Sequence, residues 1–92
     1  MNEPVPVVLY SRPGCHLCDE MKAVAQRVAR SVPIILQEVD ISADAELMQR
    51  YGTEIPVMVI GGRKVAKYRI SEEELIRSLE RATRDEARHA GK

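Results

Sequence analysis

Cys15 and Cys18 are the only cysteines in the 92-residue chain, and just two residues separate them. They stand in the run Ser11-Arg12-Pro13-Gly14-Cys15-His16-Leu17-Cys18. Two thiols at this spacing can close a disulfide with each other and reopen it. A thiolate, not a thiol, is the attacking species, and a free cysteine is half ionised only near pH 8.5. The chemistry therefore needs a place that favours the anion. The start of a helix is such a place, because its first N–H groups lack backbone partners and carry partial positive charge. Helix N-termini in C-x-x-C motifs lower the thiol to about 3.5–7.5.

The surrounding pattern puts the pair at such a start. Val5 to Tyr10 is an apolar run, read as a strand over Val7–Tyr10 buried on both faces, and it ends at the turn residues Ser11-Arg12-Pro13-Gly14. Leu17, Met21, Val24, Ala25 and Val28 then recur at helical spacing, which predicts a helix from about Cys15 to Arg30. Cys15 falls at the N-cap or first position, exposed. Cys18 falls one turn deeper on the same face. Cys15 would attack a substrate disulfide, and Cys18 would then attack the Cys15 sulfur and release the reduced product.

Other uses of two cysteines are open. Both could be inert core residues, although a Pro-Gly turn argues against burial of the first. They could ligate zinc, but a structural site needs four ligands. His16 is too close to Cys15 to serve as a third, and His89 lies in a tail expected to fray. A metal or iron–sulfur cluster carrier shared between two chains would need ligands from outside. No metal site within the chain is expected.

Further elements must hold the pair in place. Ser31-Val32-Pro33 ends the helix, and Ile34–Val39 reads as a second strand. Ser42 resembles an N-cap ahead of Asp44 and Glu46. Leu47, Met48 and Tyr51 give that short helix an apolar face, and Gly52 fits a C′ stop. Val57–Ile60 is a third strand. Gly61-Gly62 makes a hairpin turn, and Lys64–Tyr68 is the charged return strand at an edge. Ser71 and Glu74 form a capping box for a last helix carrying Leu75, Ile76, Leu79 and Ala82. From Arg84 the apolar period is lost, and residues 84–92 are expected to fray. The order β-α-β-α-β-β-α predicts an α/β fold. Its four-stranded mixed sheet, flanked by three helices, forms a single domain over residues 1–92 with its core at about 5–82.

Composition narrows the function. Fourteen basic and fourteen acidic residues cancel, which removes the electrostatic basis for a nucleic-acid or anionic-membrane partner. No apolar run approaches the roughly 18 residues of a membrane span. Glu3 near the start and the short apolar stretch after it do not read as a secretory leader, so a reducing cytoplasm is the expected compartment. Nothing in the pattern calls for a dimer, and a monomer is expected. With three Tyr and no Phe or Trp, the core must be aliphatic.

Leu9-Tyr10-Ser11-Arg12-Pro13-Gly14-Cys15-His16-Leu17-Cys18 resembles the opening of a glutaredoxin, within the thioredoxin superfamily. It is most similar to the short glutaredoxin-like proteins with a C-H-L-C motif. The likeness extends through Asp40-Ile41, Ile55-Pro56 and Gly61-Gly62, and spans roughly residues 5 to 82. It implies a thioredoxin-like fold and a dithiol–disulfide oxidoreductase acting on protein disulfides or glutathione mixed disulfides. No resident cofactor is implied; glutathione is a candidate co-substrate, and an outside thiol reductant resets the pair. The resemblance further implies that Pro56 is cis and faces Cys15, and that the Ile55 backbone pairs with substrate like an added strand.

The chain departs from the family in two places. Glu54-Ile55-Pro56 stands for the usual Thr-Val-Pro. Lys67-Tyr68-Arg69-Ile70-Ser71 stands where many members carry a second Gly-Gly and an acid that help hold glutathione. That glutathione contact is not carried over; the dithiol chemistry is. Arg12, three residues before Cys15, corresponds to a basic residue that helps the thiolate or a glutathione carboxylate, against the plainer reading of a solvated loop charge. His16, if protonated, would favour the thiolate of Cys15; as a plain exposed helix-start residue it would do little. Tyr10 is read as packing at the core or rim, and Asp19 and Glu20 as complements to the helix dipole. Arg63, Lys64, Lys67 and Arg69 read as a solvated edge kept from pairing.

Overall fold

The computed structural model describes the backbone of residues 3–90 and the side chains of residues 3–84. Four strands form one sheet: β1 (Val5–Ser11), β2 (Ile34–Asp40), β3 (Val57–Ile60) and β4 (Arg63–Lys67). The helices are α1 (His16–Val28), α2 (Ala45–Tyr51) and α3 (Glu72–Ala90), with a 3-10 turn at Ile41–Ala43 before α2. The spatial order is β2-β1-β3-β4. β1 is parallel to β2, as a strand–helix–strand crossover requires, and antiparallel to β3. β3 and β4 form the hairpin, joined by Gly61 and Gly62 at φ 60° and 77°. Two successive left-handed residues match the twist of the flanking strands, and glycine adopts them without steric cost.

Alternation along β1 sorts the core. Val5, Val7 and Leu9 pack with Met21, Ala25 and Val28 of α1, with Leu75 and Leu79 of α3, and with Met58 and Ile60 of β3. Tyr10, on the opposite face, joins Ile41, Leu47, Tyr51 and Val57. Helices α1 and α3 thus cover one face, and α2 covers the other. The sequence pattern suggested burial of both faces over Val7–Tyr10. In the structure Val8 and Tyr10 are half-buried and Pro6 is exposed, because seven-residue α2 roofs only one end of that face.

Several boundaries moved for local reasons. Helix α1 begins one residue after Cys15, which is its N-cap, and closes at Ala29. Ser42 is not the cap of α2. Asp40 caps the 3-10 turn, accepting from the Ser42 hydroxyl at 2.6 Å and the Ser42 N–H at 2.9 Å. Asp44 caps α2 through the Glu46 and Leu47 N–H groups. Gly52 is not left-handed, at φ −56°. Its lack of a side chain still matters, since a Cβ there would collide with the Met48 carbonyl oxygen. The return strand β4 ends at Lys67, leaving Tyr68 in the following turn. The reciprocal Ser71–Glu74 capping box opens α3 as expected. This helix runs past Arg84 to Ala90 on a run of Arg, Glu and Ala that favours helix without an apolar stripe; of the 84–92 tail expected to fray, residues 91–92 lie outside the described residues.

Ser11 ends β1 as the buried polar side chain of the described residues, 3% exposed. It donates to Glu38 at 3.0 Å, and Glu38 also receives Lys22 of α1 at 3.0 Å. One carboxylate on β2 therefore ties α1 to the sheet one helical turn beyond Cys18. The Lys22 hydrogen bond holds the Glu38 carboxyl below its ordinary range against partial desolvation, with Ser11 adding to the effect. A depressed carboxyl contributes stability that is complete above its unfolded value, about pH 4.3, and is lost as pH falls through the folded one. The pair is more than a third exposed, so the contribution is under about 1 kcal/mol. Glu38→Gln is expected to lower the denaturation midpoint at neutral pH and to make the acid-side decline below about pH 4.3 shallower, as read by denaturant titrations across pH.

Candidate functional site

The register of the sheet gathers the site at one end. Tyr10 lies opposite Val39 on one side and Val57 on the other, and Val57 lies opposite Lys67. The segments that leave these positions therefore emerge together. They are Arg12 to Cys15 after β1, Ile55-Pro56 before β3, and Tyr68 to Ser71 after β4.

Gly14, at φ 75°, swings the chain off the strand and into α1. Nothing lies near the position a Cβ would take there, so the demand for glycine comes from the backbone angle and not from space. Cys15 follows with extended backbone at φ −95°, ψ 109°, the conformation of an N-cap. Its Sγ accepts the Cys18 N–H at 3.1 Å, taking the place a serine or aspartate oxygen usually fills. The same sulfur is bonded to Cys18 Sγ across a Cα–Cα distance of 5.2 Å, within the range a disulfide spans. Cys15 is half-buried; Cys18 is 2% exposed beneath the helix. The two sulfurs thus differ in access while sharing one turn of helix. A helix-start amide aimed at the outer sulfur is the arrangement that stabilises negative charge there once the disulfide opens.

The neighbours divide into those that touch this arrangement and those that do not. Arg12 is exposed and makes no ion pair among the described residues. The His16 side chain is 86% exposed and its Nε2 lies 3.0 Å from the Glu20 carboxylate, an i,i+4 pair along α1. Asp19 sits in the first turn, where an acid complements the dipole. Tyr10 packs as expected, its ring stacked on Tyr51 at 4.5 Å, and the Arg50 guanidinium lies 5.6 Å from the Tyr51 ring. Lys64 of the basic edge strand pairs with Glu54 at 2.7 Å and is the main cause of the lowered Glu54 carboxyl.

The Ile55–Pro56 peptide bond is cis and Pro56 is buried. Ile55 is half-buried, and its N–H donates to the Tyr51 carbonyl at 3.1 Å. Of the two backbone groups of Ile55, the donor is therefore engaged within the chain.

The sequence reading gave no role to Tyr68. This residue holds φ 71°, a left-handed conformation that costs a bulky residue about 1–3 kcal/mol. Its N–H donates to the Pro56 carbonyl at 2.8 Å and its hydroxyl to the Thr53 carbonyl at 2.9 Å. Lys67 Nζ lies 5.7 Å from its ring centroid. No local signal marks a tyrosine for a left-handed turn. Only the partners twelve and fifteen residues earlier explain it. A cavity of about 580 Å³ lies at the far end of the sheet, lined by Pro6, Gly61, Gly62, Arg63 and Arg81, away from the cysteines.

Among solved structures, the chain is similar to the structural-genomics protein XcR50 from X. campestris. That match is 32% identical and covers 80% of this chain and 95% of that one, with a TM-score of 0.67. It is also similar to protein Ne2328 from Nitrosomonas europaea, at 26% identity, 82% and 91% coverage and a TM-score of 0.73. A third is a mutant of the thioredoxin-like protein BC3987, at 25% identity, 80% and 94% coverage and a TM-score of 0.61. These likenesses agree with a thioredoxin-like fold carrying a Cys-x-x-Cys pair at disulfide distance. Residues 6–80 match the family model described as "Glutaredoxin-like domain (DUF836)", and the chain belongs to that glutaredoxin-like family.

Proposed function

We propose that the chain is a cytoplasmic thiol–disulfide oxidoreductase that reduces protein or low-molecular-weight disulfides through Cys15 and Cys18. The observation that carries this reading is the difference between the two sulfurs: bonded to each other, the first half-exposed at a helix start, the second 2% exposed behind it. In the reduced protein the Cys15 thiolate attacks one sulfur of a substrate disulfide. A Cys15–substrate bond forms, and the other substrate sulfur leaves as a thiolate that takes up a proton. Cys18, losing its proton, then attacks Cys15 Sγ. The Cys15–Cys18 bond forms and the second substrate thiol is released. The substrate gains two electrons and two protons, and the dithiol loses them.

An outside thiol reductant, glutathione or another dithiol donor, returns the pair to its reduced form. No resident cofactor or metal enters this cycle, and it requires no nucleic acid, no membrane and no second copy of the chain. Arg12, His16, Ile55 and Pro56 are the residues proposed to meet substrate as it approaches Cys15. For Arg12 the support is an exposed guanidinium in the turn just before the nucleophile; for Ile55 it is a carbonyl at the same end of the sheet.

Cys15→Ser is expected to reduce disulfide turnover by at least about 1,000-fold. Cys18→Ser is expected to retain the first step and accumulate a Cys15 mixed disulfide, identified by mass spectrometry of non-reduced protein. Failure of Cys18→Ser to capture any partner or glutathione, with no turnover in the unaltered protein, would overturn the reading. Stoichiometric iron or zinc lost on either substitution would point instead to a metal or cluster carrier.

The reduction potential is expected near the glutaredoxin range, about −200 to −230 mV, as measured against glutathione redox buffers. In the reduced protein, iodoacetamide at slightly acid pH should alkylate Cys15 at least about tenfold faster than Cys18, since access and thiolate character both favour the outer sulfur. Peptide mapping reads the ratio.

A further inference from the structure

Nothing local in the sequence accounts for a tyrosine at position 68. Glycine would adopt its left-handed backbone freely, yet the position carries a large aromatic residue that is 42% exposed. Burial therefore does not account for it. The ring is not loose either. The Tyr68 N–H is held by the Pro56 carbonyl and its hydroxyl by the Thr53 carbonyl. These two bonds hold the backbone and the hydroxyl end of the residue against the segment that precedes β3, with the Lys67 ammonium near the ring. An aromatic surface held in one position loses little freedom when something binds to it.

The register sets where Tyr68 leaves the sheet relative to β1, the strand that leads to Cys15. Tyr10, Val57 and Lys67 stand in a row across three adjacent strands. With strands about 4.8 Å apart, Tyr68 leaves the sheet about 10 Å from the line of β1 that leads to Cys15. An extended polypeptide covers that distance in about three residues. A disulfide with only a few atoms beyond its sulfurs does not. Meanwhile two main-chain donors along this edge are taken, since the Ile55 N–H is bonded to Tyr51 and the Tyr68 N–H to Pro56. The Ile55 carbonyl and side-chain surface are left to do the recognising.

We propose that Tyr68 is a specificity-determining residue whose exposed ring supports the polypeptide flanking a disulfide attacked by Cys15, so that the protein favours polypeptide disulfides over small ones. The proposal rests on the thiol–disulfide reading of Cys15 and Cys18 and names the substrate class that reading leaves open. The ring touches the chain of the substrate and not its sulfurs, so its loss acts on substrates long enough to reach it.

The test uses reduced protein freed of reductant and follows closure of the Cys15–Cys18 disulfide on mixing with either insulin or bis(2-hydroxyethyl) disulfide. No electron donor is needed, so only the oxidation half-reaction is read. Tyr68→Gly removes the ring and relaxes the backbone, and its thermal midpoint should match or exceed that of the unaltered protein. Oxidation of this variant by insulin is expected to slow by about tenfold, the usual effect of losing an aromatic contact of this kind. Oxidation by the small disulfide should stay within about twofold, and Tyr68→Phe, which keeps the ring, should retain most of the insulin rate. Equal losses on both substrates, or no loss on either, would overturn the proposal while leaving the dithiol reading intact. Oxidation of the unaltered protein by neither disulfide would instead overturn the dithiol reading.

Discussion

Strand β1 is hydrogen-bonded along both edges, in parallel to β2 and antiparallel to β3. This double ladder determines where the cysteines stand. A strand held on two sides cannot slide by one residue without turning Val5, Val7 and Leu9 out of the core formed with α1 and α3. Its last residue, Ser11, is consequently delivered to a set height at one end of the sheet. A short turn then separates that point from the helix whose Cys18 amide faces the Cys15 sulfur. The ladder aligns the other segments of the site as well, because Tyr10, Val57 and Lys67 share a row.

The two cysteines acquire different chemistry from a single turn of helix. Position 15 is the cap, with extended backbone and a sulfur that receives an amide N–H. Position 18 is inside the helix, on the face that meets the sheet, where Met21, Ala25 and Val28 continue the same buried stripe. Access and charge stabilisation therefore fall to the first sulfur and concealment to the second, from geometry common to any helix start. The Ser11–Glu38–Lys22 contacts add a tether between helix and sheet just below the pair. His16, adjacent to Cys15 in sequence, is engaged with Glu20 along the outer surface of the helix.

Much of this was legible beforehand because it is local. The strand–turn–helix around Cys15, the Gly61-Gly62 hairpin, the Ser71–Glu74 capping box and the aliphatic core positions each follow from a pattern a few residues long. The misread points are those where two local signals compete. Ser42 and Asp44 are both plausible caps, and Asp40 settled the matter by drawing Ser42 into a 3-10 turn. Gly52 suggested a left-handed stop, but its backbone is right-handed and the segment following α2 folds back on the Tyr51 carbonyl. Reading Val7–Tyr10 as buried on both faces overlooked that the covering element, α2, is too short to span the strand.

The sequence by itself determined the reacting groups, their spacing, and the helix start that distinguishes them, since a C-x-x-C pair after a Pro-Gly turn meets no partner more than one helical turn away. Only the tertiary structure decided what surrounds them. The engaged Ile55 amide, the left-handed Tyr68 held by Thr53 and Pro56, and the Glu38 tether all join residues brought together by folding. Hydrogen bonds of that kind depend on which strands lie side by side and in what register, and no short stretch of residues encodes that.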